Sequence, residues 1–125
     1  MIAPRPARRR PAPWWLLPLA AMPLAWVLDF YLFVLRARLA LGHWPRPMQP
    51  DPASLGFHWH QTTVWTGLLS ALSAMAFATV FFIILPNLPR FRYPWGALVV
   101  FVLGSAGCAI VLLVDPGSFW SWYLD

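Results

Sequence analysis

Lysine and glutamate are absent from this 125-residue chain: all nine basic residues are arginine and all four acidic ones aspartate. Charged side chains make up 10% of the sequence, against about a quarter in ordinary soluble domains. Too few charges remain to cover the surface of a water-soluble fold. Cysteine is nearly absent too. Cys108 stands alone, which excludes an internal disulfide framework and a cysteine-based metal motif. Also missing are a phosphate-cradling glycine loop, a nucleophile elbow, a metalloprotease helix and any zinc-ligand spacing. Hydrolytic and redox catalysis lack their parts, and a non-enzyme is expected, with no metal. The net charge of +5 would suit nucleic acid, but the arginines flank apolar segments. That placement fits topology control and anionic lipid headgroups, so membrane lipids are the expected partners and nucleic acid is not.

What the chain has instead is apolar length. Residues 61–85 and 95–114 carry no charged side chain. As helices they extend about 37 Å and about 30 Å, enough to cross a hydrocarbon core of roughly 30 Å. A soluble helix keeps one face wet and does not stay uncharged for so long. Residues 14–35 form a third long apolar run, broken by Asp29, with Trp14 and Trp15 suited to the headgroup level. Pro18 and Pro23 each remove an amide donor there, which predicts a bend. The run is too long and too rich in tryptophan for a cleaved signal peptide. The expected fold is an all-α membrane protein with three transmembrane helices, a hairpin of the second and third plus a proline-bent first.

The remaining segments connect these spans. Residues 1–13 are a basic, Pro-rich tail, 36–60 a Pro-rich loop, 86–94 a turn, and 115–125 an aromatic tail expected to lie in the membrane interface. With the N-terminus inside, Arg5, Arg8, Arg9, Arg10, Arg90 and Arg92 share the cytoplasmic side. Arg36, Arg38 and Arg46 fall on the other. The bias predicts a multi-pass protein of a bacterial inner membrane, N-terminus cytoplasmic and C-terminus periplasmic.

Few residues offer chemistry. Asp29 is the one carboxylate inside an apolar run, a position that is costly and points to a functional site or a structural pair. Arg36, seven residues on, shares its helix face and is the expected intramembrane partner. Without a second acid in another span, Asp29 makes a weak proton-coupled transporter. His43, Trp44, His58, Trp59 and His60 gather at one membrane rim and form a candidate site for a quinone, haem, pigment or lipid. His58 and His60 point about 200° apart on a helix, so they cannot ligate together. Small residues make two ridges: Gly67, Ser70, Ala71, Ala74 and Ala78 in the second span, and Gly104, Ser105, Cys108 and Ala109 in the third. Such ridges let backbones approach, and they predict direct packing of the second span on the third.

The stretch ARLALGHWPRPMQPDPASLGFHWH, residues 37–60, resembles a loop of small bacterial inner-membrane proteins. These share a basic N-terminus, a Gly-x-Trp-Pro stretch, a Pro-Asp-Pro turn and a Leu-Gly before the next span. The resemblance covers about a fifth of the chain and implies a membrane class, with no activity attached. Three helices bury few of their own faces. The expected role is therefore a structural or accessory subunit of a larger membrane complex or homo-oligomer, with the rim ligand-binding module as the alternative.

Overall fold

The computed structural model describes residues 11–88 and 92–125, and among them every extended regular element is helical. Helix α1 spans Leu16–Leu41, α2 His58–Ile84, α3 Trp95–Ala109 and α4 Phe119–Leu124. A π-wound turn, Ile110–Val114, continues α3. Three helical segments are long and apolar enough to cross a membrane: Leu16–Leu41, His58–Asn87 and Trp95–Val114. Arg5, Arg8, Arg9, Arg10 and Arg90, which carry most of the predicted arginine bias, lie outside the described residues.

Local chemistry sets the ends. Gly42 closes α1 at φ 75°, donating its N–H to the Arg38 carbonyl at 2.9 Å. Glycine enters this left-handed conformation without a Cβ penalty. Pro86 stops α2 in a tight turn, Leu85–Asn87, and buried Pro94 precedes α3. Pro23 lies inside α1, where its ring removes the amide that would bond the Leu19 carbonyl.

Helix α1 is the centre of the bundle. It packs extensively on both α2 and α3, which meet each other only thinly. This corrects the expected packing of the second span on the third. The small residues do admit a neighbour, but that neighbour is α1. A Cβ on Gly104 would fall 2.6 Å from the Leu24 amide nitrogen, and one on Gly67 would fall 3.2 Å from the Trp26 ring. Cys108 donates its S–H to the Pro23 carbonyl at 3.3 Å, and Ala71, Ala74 and Ala78 lie in the buried stripe of α2. The physical reason lies in α1: its Trp26 ring needs a notch in α2, which Gly67 supplies, and its backbone at Pro23–Leu24 approaches α3 so closely that only a small residue fits opposite. Ser70 and Ala109 stay outside this contact and are exposed, while Ser105 is half-buried. Helices α2 and α3 touch at the turn end, where Phe82 meets Phe101 at 5.3 Å between ring centroids.

The tail is folded back on the bundle. Asp115, Gly117 and Ser118 all take positive φ, and the chain reverses over the loop end of the bundle. Helix α4 then packs against α1 and the Pro-rich loop. Trp122 is fully buried against Phe33, and Tyr123 meets Phe30 and Phe33 edge-on. Trp122 Nε1–H donates to the carbonyls of Gln49 and Pro50. Tyr123 donates its hydroxyl to the Gln61 carbonyl at 3.0 Å. An indole buried with its N–H satisfied combines a large apolar contact with no stranded donor. The Pro-rich loop, α4 and the starts of α2 and α1's last turns thus form one aromatic cap.

Candidate polar site between α1 and α2

Asp29 lies on the flank of α1 that faces the first turns of α2. Two α2 residues, His60 and Thr63, reach it because positions three apart share a helix face. His60 Nε2 sits 3.3 Å from Asp29 Oδ1, the one approach of a basic side chain to a carboxylate within 4 Å among the described residues. The nitrogen is closed off from solvent and out of line for a hydrogen bond. The imidazole is held edge-on to the Phe33 ring, 5.0 Å between centroids. The Thr63 hydroxyl lies 3.3 Å from Asp29 Oδ2 and 2.7 Å from the His60 carbonyl. One proton serves one acceptor well, and the shorter bond stays within α2. Asp29 therefore keeps open acceptor capacity, and its side chain is 35% exposed.

The expected Asp29–Arg36 pair is not formed. Arg36 turns toward the loop end, its guanidinium 4.0 Å above the Phe57 ring. Stacking there leaves the guanidinium edges in contact with water, whereas reaching back to Asp29 would strip them.

The carboxylate opens into a groove along the α1–α2 seam. Its upper part, about 330 Å³, is lined by Met22, Trp26, Asp29, Thr66, Gly67 and Ser70 among others. Its continuation, about 360 Å³, runs past Leu19, Met22, Ser70, Ser73, Ala74 and Phe77. The hydroxyls of Thr66, Ser70 and Ser73 each donate back to a carbonyl four residues earlier, at 2.8–2.9 Å. Their oxygens point outward with free lone pairs. The groove is consequently a row of acceptors headed by a carboxylate, and the one side-chain N–H that lines it is the buried Trp26 indole. That indole is already bonded to the Val64 carbonyl at 3.0 Å.

The five rim residues are divided by the structure. His43 and Trp44 line a separate groove with Arg38, Gly42, Arg46 and Gln49. His58 and Trp59 are exposed at the start of α2, and His60 turns inward to Asp29. No cluster of three His, Cys, Asp or Glu side chains suited to a metal occurs among the described residues. Two electrostatic features lie beside the polar site. Burial raises the Tyr123 phenol well above its ordinary value, with the Asp29 charge adding to the effect, so its hydroxyl stays a donor. Asp115 is pulled the other way: burial pushes it up, but bonds from the Ser121 hydroxyl and the Ser121, Trp120 and Phe119 amides outweigh it and lower the carboxyl.

The row Thr63, Thr66, Ser70, Ser73 follows a 3-4-3 spacing, a signal visible in the sequence but masked there by its overlap with the small-residue ridge. No family model matches this chain, and neither a curated protein nor a solved structure matches it.

Proposed function

We propose that this chain is a non-catalytic accessory subunit of a larger complex in a bacterial inner membrane, with its N-terminus cytoplasmic. The groove between α1 and α2 is its docking face, and the occupant is a helix of another membrane protein that brings hydrogen-bond donors. The observation that carries this reading is the outward row of acceptors headed by Asp29 on an otherwise apolar helix pair. In lipid, the Asp29 carboxylate has only the shared Thr63 hydroxyl at 3.3 Å to accept from, a sparse and costly match for a charge, while the back-bonded hydroxyls keep acceptor capacity to spare. A partner helix carrying Arg, Lys, Ser, Thr or Asn opposite Asp29 and Ser70 supplies what the groove lacks, and small groove walls at Gly67 and Ala74 allow close approach. The rim ligand module is the weaker alternative, since the groove that His43 and Trp44 line does not include His60, which is turned to Asp29.

Extraction of the affinity-tagged chain from its own membrane in a mild detergent, followed by a native gel, tests the role. A discrete band far above a 14.2 kDa chain in its micelle is expected, its other components identifying the complex. A small band with no partner would sink the proposal.

A further inference from the structure

The second groove, at the loop end, has chemistry of its own. Arg38, Gly42, His43, Trp44, Arg46 and Gln49 enclose about 470 Å³. The walls are rigid. Arg38 stacks 4.0 Å above the Trp44 ring, and Trp44 in turn lies 5.6 Å from Phe119 of α4. The Arg46–Gln49 turn is closed by the Gln49 N–H to the Arg46 carbonyl at 3.1 Å and pinned from below by Trp122 on the Gln49 carbonyl. Pro45 is fully buried beneath it.

Neither Arg38 nor Arg46 forms an ion pair among the described residues. Asp29 lies beside His60, Asp51 accepts from the Ala53 amide, and Asp115 accepts from Trp120 and Ser121. Asp125 comes nearest, accepting from the Met48 amide of the same turn at 2.8 Å, and does not bridge to either guanidinium. Two guanidinium groups and an amide therefore line one groove without a directly paired carboxylate. Stacking an arginine on a ring fixes its plane and leaves its N–H edges free, the arrangement that grips a tetrahedral oxyanion bidentately.

We propose that this groove binds a phosphoryl group, with Arg38 and Arg46 as the clamp and Gln49 as a further donor, while His43 holds the wall by its Nδ1 contact to the Trp44 carbonyl at 3.0 Å. Its source is the phosphodiester of an anionic lipid headgroup. The exposed apolar stripe of α1 (Leu28, Leu32, Leu35, Leu39) runs up to the residue beside Arg38 and stops there. Hydrocarbon contact thus ends where the groove opens, which is the depth of a lipid phosphate. Met48, 93% exposed beside Arg46 and Gln49, projects an apolar side chain at the same rim. The proposal stands independently of the docking face between α1 and α2.

Native mass spectrometry of the delipidated protein in mild detergent tests it, with phosphatidylglycerol, phosphatidylcholine and inorganic phosphate titrated separately. One phosphatidylglycerol adduct is expected at about tenfold lower concentration than the phosphatidylcholine adduct, the size of effect one charge-assisted clamp gives. The variant R38Q/R46Q loses that preference while R36Q, outside the groove, keeps it. Near-UV circular dichroism confirms that each variant is folded, and Arg46→Gln alone serves if the double variant is not. Inorganic phosphate bound with the same arginine dependence, and no lipid preference, would keep the phosphoryl site but assign it to free phosphate. Equal binding of both lipids without phosphate binding, an undiminished preference in R38Q/R46Q, or an equal loss in R36Q would overturn the site.

Discussion

Gly104 of α3 and Leu24 of α1 meet backbone to backbone, and the room for a single methyl group is missing between them. The contact falls one residue after Pro23, whose carbonyl also accepts the Cys108 S–H. Gly104→Val therefore forces α3 off α1. Overpacking of this kind costs about 1–3 kcal/mol, read as a lower unfolding midpoint in a denaturing-detergent titration. Gly96, in the first turn of α3, has nothing within 4 Å of its notional Cβ. Gly96→Ala should be neutral or stabilise by up to about 1 kcal/mol. Equal destabilisation by both would show that the α1–α3 approach is not the tight contact described.

Trp122 holds the cap together in two ways, by ring packing on Phe33 and by its N–H on the Pro-rich loop. The two are separable. Trp122→Ala removes both and should cost about 3–5 kcal/mol. Trp122→Phe keeps most of the ring and strands two carbonyls, at a cost of about 1–3 kcal/mol. Hydrogen exchange of the loop amides near Met48 should rise sharply in the first variant and modestly in the second. Unchanged exchange in both would mean that α4 is not what fixes the loop.

Asp115 makes the seating of α4 pH-dependent. Its carboxyl is lowered in the fold because the Ser121 and Trp120 bonds outweigh burial. A depressed folded pKa contributes stability that is present above the unfolded value, about 4, and lost as pH falls through the folded one. Acidification from pH 5 toward pH 3 (both about, bracketing that value) should loosen α4, seen as faster exchange at Trp120 and Ser121. Asp115→Asn should show the loose behaviour throughout and lose the pH dependence. A variant that keeps the dependence would assign it to another carboxylate.

How far the sequence reveals this arrangement depends on what each signal measures. Apolar length identifies three helices long enough to cross a membrane, because lipid demands it of nearly every residue in the run and Asp29 alone interrupts the first. The ridges at Gly67–Ala78 and Gly104–Ala109 announce close approach but carry no address. The address lies on α1: the Trp26 ring beside Gly67 for the ridge of α2, and the backbone at Pro23 and Leu24 beside Cys108 and Gly104 for that of α3. The tail reads as interfacial because aromatic residues suit an interface and a core cap equally. Its reversal rests on positive φ at Asp115 and Ser118, and only Gly117 advertises such a turn in sequence. Arg36 illustrates a further limit: helix periodicity places it on the face of Asp29, yet the ring that takes its charge, Phe57, is brought up by the 16-residue connection 42–57, whose path periodicity cannot give.

Ser70 offers the most direct test of the docking face, because it lines both parts of the α1–α2 groove and is exposed in the isolated chain. Its hydroxyl bonds only its own helix, at the Thr66 carbonyl, so Ser70→Leu breaks no contact between helices. The change in stability of the separate subunit should stay within about 0.5 kcal/mol, as for a surface site. The leucine nevertheless fills the groove and hides the acceptor row, and the large native-gel band should disappear. Asp29→Asn should weaken the band less. It keeps an acceptor oxygen while removing the charge, and single interhelical hydrogen bonds in membranes average about 0.6 kcal/mol. Survival of the large band in Ser70→Leu would move the partner to another face while leaving the subunit role standing. Loss of the band in Asp29→Asn but not in Ser70→Leu would place recognition at the Asp29–His60 end alone, because the hydroxyl row below it would then be open to lipid in the assembled complex.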